Sequence, residues 1–148
     1  MTTYLDSSVL VASILEDEPH HESCLRLLRG KNLVAWSHAL TEVFATLTGG
    51  RLGIRISPRV ATDLVESSLL PRLRLVDLQS GELMEALRAT QVLGVRGGAI
   101  YDFLHLTVAR RSAASVVYTL NSKHFTAITR QGDPEIILPS ANRAPGIN

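Results

Sequence analysis

Three acids and an amide, Asp6, Glu42, Asp102 and Asn121, stand where side-chain oxygens can do chemistry as well as support structure. Asp102 is the most informative of them. In Ala99–Ser112, at about 100° per residue, Ile100, Leu104 and Val108 form one apolar stripe. Ala99, Asp102, Leu106, Ala109 and Ala113 form a second stripe on the opposite side. A helix that is apolar or small nearly all round is a buried helix. Asp102 sits near its start, where the helix dipole favours negative charge. A carboxylate on a buried face still needs a partner, because desolvating it unpaired is costly; a cation or a buried basic group supplies one. Asp6 ends the short β-prone stretch Thr3–Leu5 and precedes Val9-Leu10-Val11. It either caps the following helix or carries chemistry at the carboxyl end of a strand, and the two roles are compatible. Glu42 lies opposite the apolar stripe Leu40, Val43, Phe44 and Leu47 of its helix. It is therefore either an ordinary exposed glutamate or one aimed into a cleft, and periodicity does not decide between them. Asn121 follows the strand Val116–Leu120, as a turn former or as a neutral oxygen ligand.

The elements that must position these residues alternate. Strands are expected at Thr3–Leu5, Leu33–Trp36, Leu73–Leu78, Val116–Leu120 and Glu135–Leu138. Helices are expected at Ser7–Leu15, Pro19–Leu28, Ser37 to about Leu47, Ser57 to about Leu70, Ser80–Leu93, Ala99–Ser112 and Ser122–Ile128. Pro19 suits a first helical turn, Ser37 can cap, Gly30 and Gly49-Gly50 stop helices, and Pro71 ends the fourth. Strands separated by helices argue for a parallel sheet covered on both faces. The expected fold is α/β, a three-layer α/β/α sandwich with a mostly parallel central sheet. In such sheets ligands bind beyond the carboxyl ends of the strands. The 148 residues suit a single domain, 1–148, with the tail after about residue 139 frayed.

Composition narrows the classes. No apolar run reaches the roughly 18–20 residues of a membrane span, and Met1-Thr2-Thr3-Tyr4-Leu5-Asp6 lacks the basic start of a signal peptide. The expectation is a cytosolic protein. The lone Cys24 leaves no internal disulfide and no multi-cysteine zinc site. His20, His21 and Cys24 share one helix, but as surface side chains rather than zinc ligands. The net charge of +1 is less than a domain living on bulk phosphate attraction usually carries. Arg51, Arg55, Arg59, Arg72 and Arg74 read as a solvated surface, and Arg51 or Arg110 as arginines that a groove would use. His105, Tyr101 and Trp36 read as packing residues, although rings can stack bases. No glycine-rich phosphate loop follows the first strand.

Taken together, Tyr4-Leu5-Asp6-Ser7-Ser8-Val9-Leu10-Val11, Thr41-Glu42-Val43-Phe44, Ile100-Tyr101-Asp102-Phe103-Leu104-His105 and Thr119-Leu120-Asn121-Ser122-Lys123-His124-Phe125 resemble, in order, the four motifs of the PIN-domain ribonucleases. The length resembles that of the VapC-type toxins of toxin–antitoxin pairs. Many members carry aspartate at the positions of Asn121 and His124. The resemblance implies an endoribonuclease in which Asp6, Glu42 and Asp102 hold metal and Asn121 completes the site, with Ser8 and Thr119 supporting the acids. Oxygen ligands suit Mg²⁺ or Mn²⁺. It also implies products ending in 3′-hydroxyl and 5′-phosphate, an antitoxin that covers the site, and homodimers; Leu69 and Leu70 read either as dimer contacts or as core residues. Two rivals stand beside this. A phosphatase of the haloacid-dehalogenase type needs a second acid where this chain has Ser8. A non-catalytic binding module would use the acids only to receive a partner's basic side chain.

Overall fold

The structure is a computed structural model that describes residues 1–50, 53 and 55–140. Arg51 and the tail beyond residue 140 lie outside the described residues. Five strands, β1 (Thr3–Leu5), β2 (Leu33–Trp36), β3 (Arg74–Val76), β4 (Val116–Tyr118) and β5 (Glu135–Ile137), form one sheet in the order β3-β2-β1-β4-β5. Every pairing is parallel. The sheet is thus wholly parallel, where the sequence predicted mostly parallel.

Seven α-helices cover it among the described residues: α1 (Ser7–Ile14), α2 (His21–Leu28), α3 (His38–Thr48), α4 (Pro58–Leu64), α5 (Ser80–Leu93), α6 (Ala99–Arg111) and α7 (Ser122–Thr126). The two-residue period of the strands divides the core. Leu5, Leu33 and Ala35 face one layer with Val9 and Leu10 of α1, Leu28 of α2, and Val43 and Leu47 of α3. Tyr4, Val34 and Trp36 face the other with Ala86 of α5, Leu104, Leu106 and Val108 of α6, and Phe125 of α7. These are the three layers that the alternating elements predicted. No helix among the described residues is long and apolar enough to cross a membrane.

Local chemistry moves several boundaries. Ser37 makes no side-chain cap, and α2 begins at His21 rather than Pro19. Ser57 does cap α4, accepting from Val60 N at 3.3 Å. The helix expected to stop before Pro71 instead widens into a π-turn over Val65–Leu69, with Leu70 N–H reaching the carbonyl of Val65. It then tightens into a 3₁₀ turn over Leu70–Arg72. Pro71 lacks an N–H but fits the first positions of that new turn, where no donor is needed. Gly94 ends α5 in the left-handed region, φ 66°, and its N–H bonds the Thr90 carbonyl. Cys24, expected on a surface face, is fully buried. Burial, with the charges of Glu18 and Asp6, pushes its thiol up to about 12. Leu69 is also fully buried and belongs to the core rather than to a surface, whereas Leu70 is exposed.

Arg110, expected to serve a groove, is engaged elsewhere. Its Nε and Nη2 donate to Asp133 Oδ1 and Oδ2 at 2.6 and 2.8 Å, tying α6 to the loop before β5. Those bonds, opposed by burial and helped by Arg130 N–H, hold the Asp133 carboxyl below its usual value. A depressed folded pKa stabilises above the unfolded value of about 3.9, and that stability is lost as pH falls through the folded value. Asp133→Asn is expected to lower unfolding stability at pH 7 by about 1–3 kcal/mol. It should also flatten the acid limb below about pH 4, read by urea denaturation across pH.

Candidate active site

The strand order reverses between β1 and β4, and crevices open beyond the carboxyl ends of strands at such switch points. Asp6 lies there, 2% exposed, as the N-cap of α1. Its Oδ1 accepts from Ser8 N at 2.8 Å, Val9 N at 3.3 Å and Ser8 Oγ at 2.5 Å. Its Oδ2 accepts from Thr119 Oγ1 at 2.6 Å. The two hydroxyls also reach the chain leaving β4: Ser8 Oγ accepts from Leu120 N and Thr119 Oγ1 from Asn121 N, both at 2.9 Å. Capping and placement are therefore one set of bonds. Thr119→Val removes the one donor that Oδ2 has among the described residues while keeping shape. It is expected to cost about 1.5–3 kcal/mol, the worth of a hydrogen bond to a charged group. Thr119→Ser should cost less, both read by urea denaturation.

Glu42, on α3, is half-buried and not plainly exposed. Ser7 Oγ donates to its Oε2 at 3.2 Å, and His38 Nδ1, one turn earlier, lies 3.4 Å from Oε1. His105 Nε2 lies 2.7 Å from the same Oε1. His105 is 1% exposed, and its Nδ1 is 2.5 Å from Tyr4 Oη, which accepts from Trp36 N–H at 3.3 Å. A carboxylate only accepts, so Nε2 carries the proton given to Glu42, while Nδ1 faces the Tyr4 hydroxyl. A buried relay thus runs from Trp36 through Tyr4 and His105 to Glu42. Burial acts most strongly on Glu42 and raises its pKa, but the hydrogen bonds and charge of His105 and His38 outweigh it and leave the value lowered. Burial and then the Asp6 charge push the Tyr4 hydroxyl far up.

Asp102 occupies the first turn of α6, with His124 Nδ1 3.5 Å from its Oδ2. Its pKa is raised, first by burial and then by the charge of Asp6; His105 and His124 pull the other way, and Glu42 adds to the rise. The fold therefore brings Asp6 and Asp102, distant in the chain, within each other's field. Two open pockets flank them: one of about 380 Å³ lined by Ser7, Ser8, Glu42 and Asn121, and one of about 370 Å³ lined by Gly98, Asp102 and His124. Asn121 is exposed and stands at the N-cap of α7, where its side chain makes no cap bond.

Among the described residues no group of three or more His, Cys, Asp or Glu is close enough together to enclose a metal ion. Asp6 and Asp102, within reach of each other's charge, would be the residues to hold a divalent cation. Mg²⁺ is commonly bound through one or two carboxylates and keeps several waters, so the pair fits such an ion, while Glu42 is already held by two histidines and Ser7.

The partners of Glu42 were missed from the sequence. His38 and Glu42 are spaced i, i+4 on one helix, a spacing that makes neighbours, and this was the signal available. Trp36 is buried, as expected of a packing residue, but Tyr101 is 47% exposed. The rings of Trp36 and His38 stack with centroids 4.5 Å apart, and those of His38 and Tyr101 with centroids 5.6 Å apart.

The fold is shared with several solved structures. VapC20 of Mycobacterium tuberculosis, a toxin that cleaves the sarcin–ricin loop, is 18% identical, with a TM-score of 0.68 over 90% of this chain and 100% of its own. VapBC2 of Rickettsia felis, bound to a DNA fragment from its promoter, is 18% identical, with a TM-score of 0.64 over 93% and 98%. FitAcB of Neisseria gonorrhoeae is 14% identical, with a TM-score of 0.65 over 93% and 98%. No curated protein matches the sequence. The sequence pattern of the PIN domain matches residues 3–130, nearly the whole of the described structure, and the chain belongs to the PIN-domain family.

Proposed function

We propose that this protein is a divalent-metal-dependent endoribonuclease, the toxin of a toxin–antitoxin pair, acting in the cytosol. What supports this is the burial of Asp6 at the sheet's switch point, with Asp102 within reach of its charge. Two acids that feel each other's charge there have a use in binding a cation and little use in packing.

Asp6 and Asp102 are the residues that would hold Mg²⁺ or Mn²⁺. When bound, the cation supplies positive charge for the phosphate oxygens and acidifies a water. Asp6 is fixed by Ser8 and Thr119, so the lone pair left on Oδ2 keeps one direction. Glu42, a possible third ligand in the resemblance, is better placed to take the proton of an attacking water, directly or through an intervening water. His105 keeps it ionised and aimed. Asn121, exposed at the pocket mouth, offers an amide in place of the family's frequent acid, and so orients substrate without adding charge. Hydrolysis with the 3′ oxygen leaving yields the 3′-hydroxyl and 5′-phosphate ends.

The fold shared with VapBC2 and with FitAcB supports a partner protein, an antitoxin that covers the acids with a basic side chain. The exposed Leu70 remains a candidate for a homodimer contact. The test is cleavage of single-stranded RNA by the purified protein. Cutting is expected with Mg²⁺ or Mn²⁺, none with EDTA, and none from Asp6→Asn that still shows a native far-UV spectrum. RNA left intact by wild type in both metals would favour the binding-module reading. In that reading the histidines on Glu42 and Asp102 mark where a partner's arginine would sit.

A further inference from the structure

The geometry points to Tyr101 as a stacking platform for one unpaired base of the RNA, beside the acids that cut it. This rests on the nuclease reading and adds how the strand is held. Tyr101 precedes Asp102 on a helix that is otherwise largely buried, yet 47% of the residue is exposed. Its ring lies nearly parallel to that of His38, at 14° and 5.6 Å. His38 in turn lies on Trp36, at 25° and 4.5 Å. Trp36 is 7% exposed and belongs to the core. The three rings thus form a column with its foot in the core and its top in solvent. The Tyr101 hydroxyl bonds nothing among the described residues, so the ring is held by stacking.

The column is tied to the chemistry at two points. His38 Nδ1 lies 3.4 Å from Glu42 Oε1, and Tyr101 and Asp102 are consecutive on one turn of α6. A base resting on Tyr101 would hold the strand near the acids. Charge alone gives little help, because the net charge is only +1 and bulk phosphate attraction needs a larger basic excess. Stacking on an aromatic face supplies affinity without charge, and it tolerates any base because every base has a π-face.

The experiment measures binding of a fluorescein-labelled single-stranded RNA by anisotropy, in an Asp102→Asn background that does not cut. Steady-state cleavage is measured in parallel with Asp102 intact. Tyr101→Ala is expected to weaken binding about 5- to 150-fold, the range for loss of one stacked base. KM should rise in proportion while kcat stays near its original value. Tyr101→Leu, which keeps bulk but has no π-face, should lose the same affinity, and Tyr101→Phe should restore it. An RNA with abasic positions should bind more weakly than intact RNA to Tyr101 protein and equally to the Tyr101→Leu variant.

Tyr101→Leu binding as tightly as Tyr101 would overturn the inference, since packing alone would then account for the ring. Unchanged RNA affinity with an altered oligomeric state by light scattering would also overturn it, making Tyr101 a protein contact. Wild type that cuts RNA with all Tyr101 variants alike sinks the platform alone. Wild type that neither binds nor cuts RNA in Mg²⁺ or Mn²⁺ sinks the nuclease reading and the platform with it.

Discussion

Asp102→Asn is expected to lower kcat/KM for RNA by about 10²–10⁴-fold, the scale of losing one ligand to a catalytic cation, and in EDTA to melt no lower than the parent. The two halves follow from one observation. Asp102 is half-buried and faces the charge of Asp6, and both effects raise its pKa. A raised acid pKa means that the folded state favours the protonated form. Its stabilising contribution is complete below the unfolded value of about 3.9 and is lost as pH rises through the folded value. At neutral pH without metal the ionised carboxylate is therefore a net cost, and an asparagine of the same shape removes it. Thermal melts in EDTA and initial cleavage rates in Mg²⁺ separate the two effects. A melting point well below the parent's would mean that Asp102 is held by a stabilising partner, and the electrostatic account would fail.

Phe125→Ala is expected to cost about 3–5 kcal/mol, a large share of the roughly 5–15 kcal/mol that hold a domain together. Phe125 is fully buried among the core side chains beneath α6, with its ring centroid 6.4 Å from that of His105. It is also the one buried residue of α7, a helix of five residues from Ser122 to Thr126. So short a helix has little stability of its own, and its attachment depends on that ring. Phe125→Leu, which fills most of the same volume, should cost about 1–1.5 kcal/mol. Urea midpoints measure both. Similar midpoints for the alanine and leucine variants would show that α7 is anchored in some other way.

The fold was legible where one period dominated. Leu33–Trp36, short and apolar throughout, reads as a strand, and the structure buries all four residues, sending Val34 and Trp36 to one face and Leu33 and Ala35 to the other. Boundaries were less legible, because Ser37 can cap but does not, and Pro71 can end a helix but starts a new turn. Asp6 and Asp102 stood out because an acid in an apolar setting is costly and asks for a reason. The tie between Glu42 and His105 did not stand out. Its residues are 63 apart, and each alone follows the rules of its own helix, so only the packing of α6 against β2 reveals it. Tyr101 was hidden for the same reason, since a ring's exposure depends on what the fold places over it.

The bonds that fix Asp6 come from segments far apart in the polypeptide. Thr119, which holds its second oxygen, is 113 residues downstream, and β1 finds β4 beside it only after the chain between them exists. Contacts of such long range form slowly, and a growing chain emerges N-terminal part first. A partly synthesised copy therefore carries Asp6 and Glu42 without the neighbours that make them an assembled centre. Asp6 gains its Oδ2 donor only after a segment 113 residues further on has been made, so the order of synthesis sets the moment at which the site is assembled.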